Sequence, residues 1–560
     1  MQPPEPSLAG LRSLDPPRLA GFVQGAAALL WLPQAALLAW AIERLAAGEG
    51  VAAVLWPAGG IVLLGLLRVL SEAWGARRVF AGARTALSEL RAQVAAALAA
   101  RSPLDRARPA SGLAASVIAE QAEAVVPYLV RYGPARWRAT VVPLVILPVV
   151  ASLSWVAALV LLVAAPLIPF FMAIVGWRAR AASEAQMVET GGMNAFLLDR
   201  LRGLATLRAL QAVDATALRL GEAAESLRQR TMSVLRIAFL SSAVLELFSA
   251  LGVAMVAAYV GFHLLGTFEF GAWGRQLSLG EGMFVLLLAP AFFEPLRELS
   301  AVWHDRAAGE AALDALDRLG RGDVALPGAL ASVRAEDEIA AGAPSVRVRG
   351  LHFSHAGEAA FFEDYDLRIA AGEHVALMGP SGCGKTALLC LIAGLVPARQ
   401  GEIVVGGVPL TEHTVAALRR RMAWIGQKPH VFAGSVQANV ALGRAGVHAA
   451  QVEAAMQLAG LGHVVHAHPG AALGEGGTGL SGGELVRLAL ARIAVHPEAD
   501  LLLVDEPTAH LDTETAERVA DALIELARGK TLIAATHDPV LAARMGRVVR
   551  LDAMPAKEAA

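Results

Sequence analysis

Apolar residues run almost unbroken through the first half of this chain and fall into short, separated blocks in the second. Six long runs stand out, over 19–42, 51–70, 140–154, 155–177, 237–265 and 281–302. A helix that crosses bilayer hydrocarbon needs about 20 predominantly apolar residues, so the pattern predicts six membrane-spanning helices. The third and fourth are nearly continuous and split only at Leu153-Ser154-Trp155, which predicts a tight hairpin on one side of the membrane. Three of the runs lack charge over lengths beyond those of soluble helices, which argues against a soluble helical core. From 345 to 553 the pattern changes to alternating strands and helices, the signature of an α/β domain.

The links between the spans are unequal. Residues 71–139 and 178–236 are long, polar and patterned as helices, whereas 43–50, 153–155 and 266–280 are short. Arginine is dense in the long links, with Arg77, Arg78, Arg84, Arg91, Arg101, Arg106 and Arg108 in the first. The second carries Arg200, Arg202, Arg208, Arg219, Arg228, Arg230 and Arg236, while the short links hold only Arg44 and Arg275. Positive residues are retained on the cytoplasmic side. The long links are therefore expected inside, and six spans then place both termini in the cytoplasm. Helices extended this far into the cytosol suit a bundle that reaches down to a soluble motor.

Composition supports the division. Hydrophobic residues make up 56% of the 560, with a mean hydropathy of +0.51, against about 45–50% in soluble chains. The formal net charge of −2 gives no electrostatic footprint for nucleic acid. Cys383 and Cys390 are the two cysteines, which excludes a disulfide scaffold and a cysteine-rich metal site. The N-terminus lacks the basic-then-apolar pattern of a cleaved signal peptide. The expected organisation is a cytoplasmic segment at 1–18 and a transmembrane domain at 19–305. An Ala/Gly/Asp/Arg-rich linker at 306–344 ends in Gly342-Ala343-Pro344; an ATP-binding domain at 345–553 and a tail at 554–560 follow.

The α/β half carries chemistry. The apolar strand His374-Val375-Ala376-Leu377-Met378 runs into Gly379-Pro380-Ser381-Gly382-Cys383-Gly384-Lys385-Thr386, a G-x-x-x-x-G-K-[ST] phosphate loop. Its glycines let backbone N–H groups converge on phosphate oxygens, and the following helix N-terminus favours anions. Lys385 supplies a charge for the β- and γ-phosphates, and Thr386 a hydroxyl ligand for Mg²⁺. Downstream, Leu501-Leu502-Leu503-Val504-Asp505-Glu506 reads as a buried strand ending in two carboxylates. Asp505 can hold Mg²⁺ through water, and Glu506 can polarise an attacking water. Between these lies Leu480-Ser481-Gly482-Gly483-Glu484, a Ser-Gly-Gly at a helix start, which as a lone motif is an ordinary cap and here offers a second anion site.

The order of these motifs resembles the ABC ATPases. LSGGE is similar to their LSGGQ signature, and it ends in Glu484 in place of glutamine. Gln427, in Trp424-Ile425-Gly426-Gln427, resembles the Q-loop glutamine, and Glu475 the exporter X-loop glutamate. Leu511-Asp512 resembles the D-loop, and His537 the switch histidine. The resemblance implies a type IV ABC exporter architecture, a six-helix membrane bundle fused to an α/β phosphate-loop ATPase. It implies MgATP held between the phosphate loop of one chain and the signature of a partner chain. Lys385 and Ser481 of one chain then belong to different ATP sites, with Gln427 and Asp505 near the metal and Glu506 and His537 in hydrolysis. Family members usually stack adenine on a tyrosine about 30 residues before the lysine; His355 falls at that place, and an ordinary loop histidine is the competing reading.

Segments 165–172, 200–207, 236–246 and 288–299 look like the CydD subunits of the CydDC exporters, so the resemblance covers nearly the whole chain. It implies a heterodimer with a CydC-like half-transporter in the bacterial inner membrane, acting in cytochrome bd assembly. The transported ligand would be cysteine, glutathione or a haem-related molecule. Two other readings stay open, a homodimeric lipid or drug exporter and a non-transporting regulatory ATP-binding subunit. Intact Glu506 and His537 speak against the second. Six spans exclude a soluble ABC protein of DNA repair or translation.

Ionisable residues inside spans are costly and usually face the bundle interior or water. Glu294, Arg297 and His304 fall within about an 80° arc if the sixth helix is continuous. Arg68 and Glu72 sit at similar depth on the second helix, and Glu246 lies on the fifth. This polar patch is expected to receive an anionic or haem-like substrate through Arg68 and Arg297, with His304 as a possible haem ligand. Snorkelling and a structural Glu294–Arg297 pair are the competing reading.

Overall fold

The computed structural model describes residues 18–105, 107–109, 111–167, 170–171, 193, 196–197, 199–201, 203–322, 324–329, 341–354, 360–444, 446–462 and 480–551. The chain divides into two units, 1–95 with 109–321 and 96–108 with 322–560.

The first unit is helical. Arg18–Ala26 and Trp31–Ala46, joined by a 3₁₀ turn at Ala27–Leu30, form the first span. The second belongs to a 48-residue helix, Ala52–Ala99, and the fifth to a 52-residue helix, Val213–Leu264. These helices continue from the apolar runs far into the polar links, as far as Ala99 in the first and from Val213 in the second, because the links are rich in strong helix formers. The third span is Gly133–Leu153, preceded by shorter helical pieces from Ser111, and the sixth is Leu279–Ala301. Five of the helical stretches are long and apolar enough to cross a membrane, and Trp155–Leu167 is a shorter apolar helix in the position of the fourth. The remainder of 155–177 lies largely outside the described residues.

Ser154 separates the third and fourth helices with extended backbone, as the hairpin reading predicts. Its buried hydroxyl donates to Gly271 O at 2.8 Å and lies 3.2 Å from the Tyr259 hydroxyl, which ties the turn to the 266–278 loop. The core of this unit is Val142, Ile146, Leu161, Val256, Phe292 and Phe293 with their neighbours. Leu55, Trp56, Val62, Leu63 and Leu70 point outward, exposed. Such an apolar outer face needs hydrocarbon around it.

Two expectations change here. The sixth helix breaks at Val302, whose φ/ψ of −97°/8° leaves the helical region, and a separate helix runs Trp303–Gly320. The stretch from 306 expected as linker is therefore helical as far as Gly320, its buried Ala312, Leu316 and Leu319 giving it an apolar stripe. The continuous arc counted from Glu294 to His304 does not hold, since His304 lies beyond the break.

The second unit contains two sheets. Strands β1 (Val346–Phe353), β2 (Phe362–Ile369), β4 (Gln400–Val405) and β5 (Val408–Pro409) form an antiparallel sheet in the order β2-β1-β4-β5. Strands β3 (His374–Met378), β6 (Met422–Ile425), β7 (Leu501–Asp505), β8 (Thr531–Ala535) and β9 (Arg547–Arg550) form a parallel sheet ordered β6-β7-β8-β3-β9. Every residue of β7 and β8 is buried, because helices and the second sheet cover both faces of a parallel sheet. One core packs the helix Gly482–Ala494 against one face, and the other packs Lys385–Ile392 and the antiparallel sheet against the opposite face.

The elbow at 96–108 belongs to this second unit, although the sequence assigns it to a transmembrane link. Arg101 and Ala325 form an antiparallel bridge, Ser102 N donates to Val324 O at 3.0 Å, and the Ser102 hydroxyl donates to Leu395 O at 2.6 Å.

Candidate functional site

Strand order builds the site. β6, β7, β8 and β3 are successive neighbours and run parallel, so their carboxyl ends share one edge. In open α/β sheets that edge is where ligands bind. β6 leads to Gln427, β7 ends in Asp505 and Glu506, β8 leads through Thr536 to His537, and β3 opens into the phosphate loop. Four segments spread over more than 100 residues thus deliver their chemistry to one place.

The loop is shaped for an anion. Gly382 and Gly384 have φ of +84° and +95°, a region glycine enters without a Cβ penalty. Lys385 is buried at the first turn of Lys385–Ile392, and its ammonium donates to Gly379 O at 3.0 Å and Pro380 O at 3.1 Å. These bonds curl the Lys385 side chain back over the start of the loop. Nζ also lies 2.9 Å from His537 Nε2. The Thr386 hydroxyl donates to Asp505 Oδ2 at 2.8 Å. Burial pushes the Asp505 carboxyl above its ordinary range, reinforced by the neighbouring Glu506 charge and opposed by the Thr386 bond and by Lys385. A buried carboxylate beside a hydroxyl is a hard oxygen pair that fits Mg²⁺.

Glu506 has φ of +49°, uncommon for a residue with a side chain, and its N–H donates to Ala535 O at 2.8 Å. Such backbone collects at functional sites. Gln427 Nε2 donates to Glu506 Oε2 at 3.0 Å, and His537 Nε2 stands 3.3 Å from Oε1, so both carboxylate oxygens have a neighbour. This arrangement can hold a phosphate chain and a hard cation, and can aim a carboxylate at a water.

Ser481 caps Gly482–Ala494 with a capping box. The Glu484 carboxylate accepts from Ser481 N at 2.7 Å and from the Ser481 hydroxyl at 2.8 Å. This gives Glu484 a physical role where the signature usually ends in glutamine, because either residue closes such a box. Gly482 is exposed and Gly483 buried. Asp512 caps the next helix by accepting from Thr515 N, which holds its carboxyl below the ordinary range. His355 and Glu475 lie outside the described residues.

The polar patch of the first unit takes a different form from the one expected. Arg68 pairs with Glu72 at 3.1 Å, and Arg138 with Glu298 at 3.1 Å. Arg68, Glu72 and Glu294 are near enough to act on Glu298 electrostatically. Three helices therefore contribute to one mixed-charge cluster. Buried Nε of Arg138 has no hydrogen-bond partner. Glu246, Arg297 and His304 are exposed, and among the described residues no ion pair joins them to the cluster. Arg138 and Glu298 were missed from sequence. Glu298 sits one helical turn after Glu294, which was a usable signal, but nothing local indicated its partner on another helix.

Known proteins match both halves. The ABC transporter family model matches residues 362–509, and the ABC transporter transmembrane region model matches 137–296. The glutathione/L-cysteine transport system ATP-binding/permease protein CydD of Haemophilus influenzae is 37% identical over 437 residues, 76% of this chain and 72% of that protein. The CydD protein of Escherichia coli is 33% identical over 539 residues, 95% of this chain and 90% of that protein. A bacterial Atm1-family ABC exporter solved with ATP bound shares the fold, with a TM-score of 0.74 at 22% identity over 95% of this chain and 92% of that one.

Proposed function

We propose, from the premise that this chain belongs to the CydD family of ABC half-transporters, that it exports cysteine or glutathione across the bacterial inner membrane in support of cytochrome bd assembly. It is a multi-pass membrane protein and an ATP-hydrolysing transporter. The observation that carries the substrate reading is the match along 95% of the chain to a glutathione/L-cysteine transport protein. The partner in this reading is a CydC-like half-transporter, and a CydC protein of Bacillus subtilis is itself 28% identical over 76% of this chain. Both termini are cytoplasmic in this reading.

The geometry of the sheet edge supports the following ATPase roles in this reading. Residues 379–384 cradle phosphate, and Lys385 offsets its charge. Thr386 and Asp505, with Gln427 at their edge, would hold Mg²⁺, which when bound neutralises charge on the phosphate oxygens. Glu506 orients and polarises the attacking water, kept in place by Gln427 and His537. Ser481, Gly482 and Gly483 face the nucleotide of the partner chain, so each ATP site is shared.

The mixed-charge cluster suits a zwitterion. Cysteine and glutathione carry both carboxylate and ammonium groups; Arg68 and Arg138 suit the first, and Glu72, Glu294 and Glu298 the second. A haem-related ligand would use the same guanidiniums for its carboxylates.

Inside-out vesicles holding this chain with its partner half-transporter test the reading. ATP-dependent uptake of labelled glutathione or cysteine is expected, with loss of uptake in Glu506→Gln. Uptake of lipid or drug probes with no thiol transport overturns it. Arg138→Ala and Arg68→Ala should keep basal ATPase activity and lose thiol stimulation; wild-type thiol response in both removes the cluster from the substrate path.

A further inference from the structure

We propose that Trp74, Arg77 and Arg78 form a binding site for anionic phospholipid headgroups, in the leaflet that faces the ATPase domain. All three lie on the helix Ala52–Ala99. Leu63, Leu67, Leu70, Trp74 and Arg77 follow one another at alternating steps of four and three, which sets them on one face. All are exposed, as is Arg78, one turn beyond Trp74. The opposite face is packed. Gly75 and Val79 are buried, and a Cβ on Gly75 would lie 2.7 Å from Cβ of Gln24 on the first span. A single outward stripe therefore passes from leucine to tryptophan to arginine. The helix from Ala52 to Leu70 is ~28 Å long, close to the ~30 Å of bilayer hydrocarbon. Trp74 comes ~6 Å past its end, at the interfacial depth where tryptophan collects, and the arginines follow within two turns. The last residues of the helix, from Ala96 on, belong to the unit with the ATPase fold, which fixes the leaflet.

The other arginines of this helix have counter-ions. Arg68 pairs with Glu72 at 3.1 Å, Arg84 with Glu123 at 2.7 Å, and Arg91 with Glu123 at 2.9 Å. Among the described residues no carboxylate pairs with Arg77 or Arg78, and Glu72, the nearest on the helix, is bonded to Arg68. Two adjacent positive charges thus stand uncompensated at headgroup depth. Side chains on a helix lean toward its N-terminus, and here that is toward the bilayer. Arg78 does so, with its guanidinium over the Trp74 ring 5.7 Å from the centroid. A guanidinium stacked on an aromatic face keeps its N–H edge for phosphate oxygens. A zwitterionic headgroup brings its own ammonium to its phosphate, whereas an anionic one leaves a net charge for the two arginines to neutralise.

The test compares two lipids with the same acyl chains and different net charge. Dimyristoyl phosphatidylglycerol and dimyristoyl phosphatidylcholine are each titrated against the full-length chain in a neutral detergent, reading the rise in its thermal unfolding midpoint. Wild type is expected to bind the anionic lipid more tightly. Arg77→Gln and Arg78→Gln should each weaken that binding about fivefold and leave the phosphatidylcholine response as it is; together they should abolish the preference. Arg77→Lys with Arg78→Lys should keep most of it, because the charge is retained. The midpoint shift with ATP should be the same in every variant, as an intact fold requires. Absence of the preference in wild type, or its survival in the double glutamine variant, overturns the proposal. Displacement of the lipid by glycerol 3-phosphate would assign the arginines to a soluble anion and overturns it also. So does loss of the preference when the chain is paired with its partner half-transporter, since the face would then be a subunit interface.

Discussion

The ammonium of Lys385 and the Nε2 atom of His537 lie 2.9 Å apart, and the same nitrogen stands 3.3 Å from Oε1 of Glu506. One imidazole nitrogen cannot accept from an ammonium and donate to a carboxylate at once. Beside Lys385 the acceptor form is favoured, with the proton on Nδ1. His537→Ala is expected to leave ATP affinity within a few-fold of wild type and lower hydrolysis by about 10²–10³. Phosphate release and nucleotide binding, measured on the same preparation, check both halves. Undiminished turnover would remove His537 from hydrolysis.

Glu506→Gln keeps the size of the side chain and loses its charge. The Gln427 contact at 3.0 Å can survive, since an amide oxygen still accepts. Hydrolysis should fall by about 10²–10³, with ATP binding retained and a closed, ATP-loaded dimer accumulating. Steady-state turnover and size-exclusion chromatography with ATP report the two effects. Because a second site in the partner can mask the loss, the matching partner variant belongs in the same experiment.

Asp505 gives a pH-dependent expectation. Burial raises its folded pKa above the ordinary carboxylate value, so the ionised form is disfavoured in the fold. Its favourable contribution is full below the unfolded pKa and is lost as pH rises through the folded pKa. At neutral pH and without Mg²⁺, Asp505→Asn should therefore be at least as heat-stable as wild type. That advantage should shrink as pH falls into the acid range, where the wild-type carboxyl is protonated too. The same variant should lose the Mg²⁺-dependent part of nucleotide binding. A wild type more stable than the variant at neutral pH contradicts the sign.

Two glycines of the loop separate strain from crowding. Gly382 has φ of +84° with open space where a Cβ would go, so Gly382→Ala meets conformational strain alone, about 1–2 kcal/mol. Gly384 has φ of +95°, and a Cβ there would meet Phe362 Cζ at 3.0 Å and Phe361 at 3.4 Å. Gly384→Ala should destabilise the domain more than Gly382→Ala does and also weaken ATP. Denaturant melts rank the two, and the reverse order would show that packing near Gly384 yields easily.

Much of this protein is legible from local pattern. The spans follow from apolar runs, because the bilayer imposes a length on any helix that crosses it. The phosphate loop and the cap at Ser481 lie within a few residues of the groups they serve, so short motifs reveal them. The tertiary structure decided the rest. The Lys385–His537 contact joins residues 152 apart, and β6-β7-β8-β3 adjacency is what brings Gln427 and Glu506 to it. The elbow at 96–108 reads as part of a membrane link, yet its backbone groups find partners at 324–326 and the buried Ser102 hydroxyl donates to Leu395 O. Arg138 and Glu298 looked like unrelated charges on separate helices until packing set them 3.1 Å apart. Hydrophobic periodicity and motif spacing act over a few residues along the chain. Pairing of distant charges and strand order arises only when the whole chain satisfies its buried polar groups together.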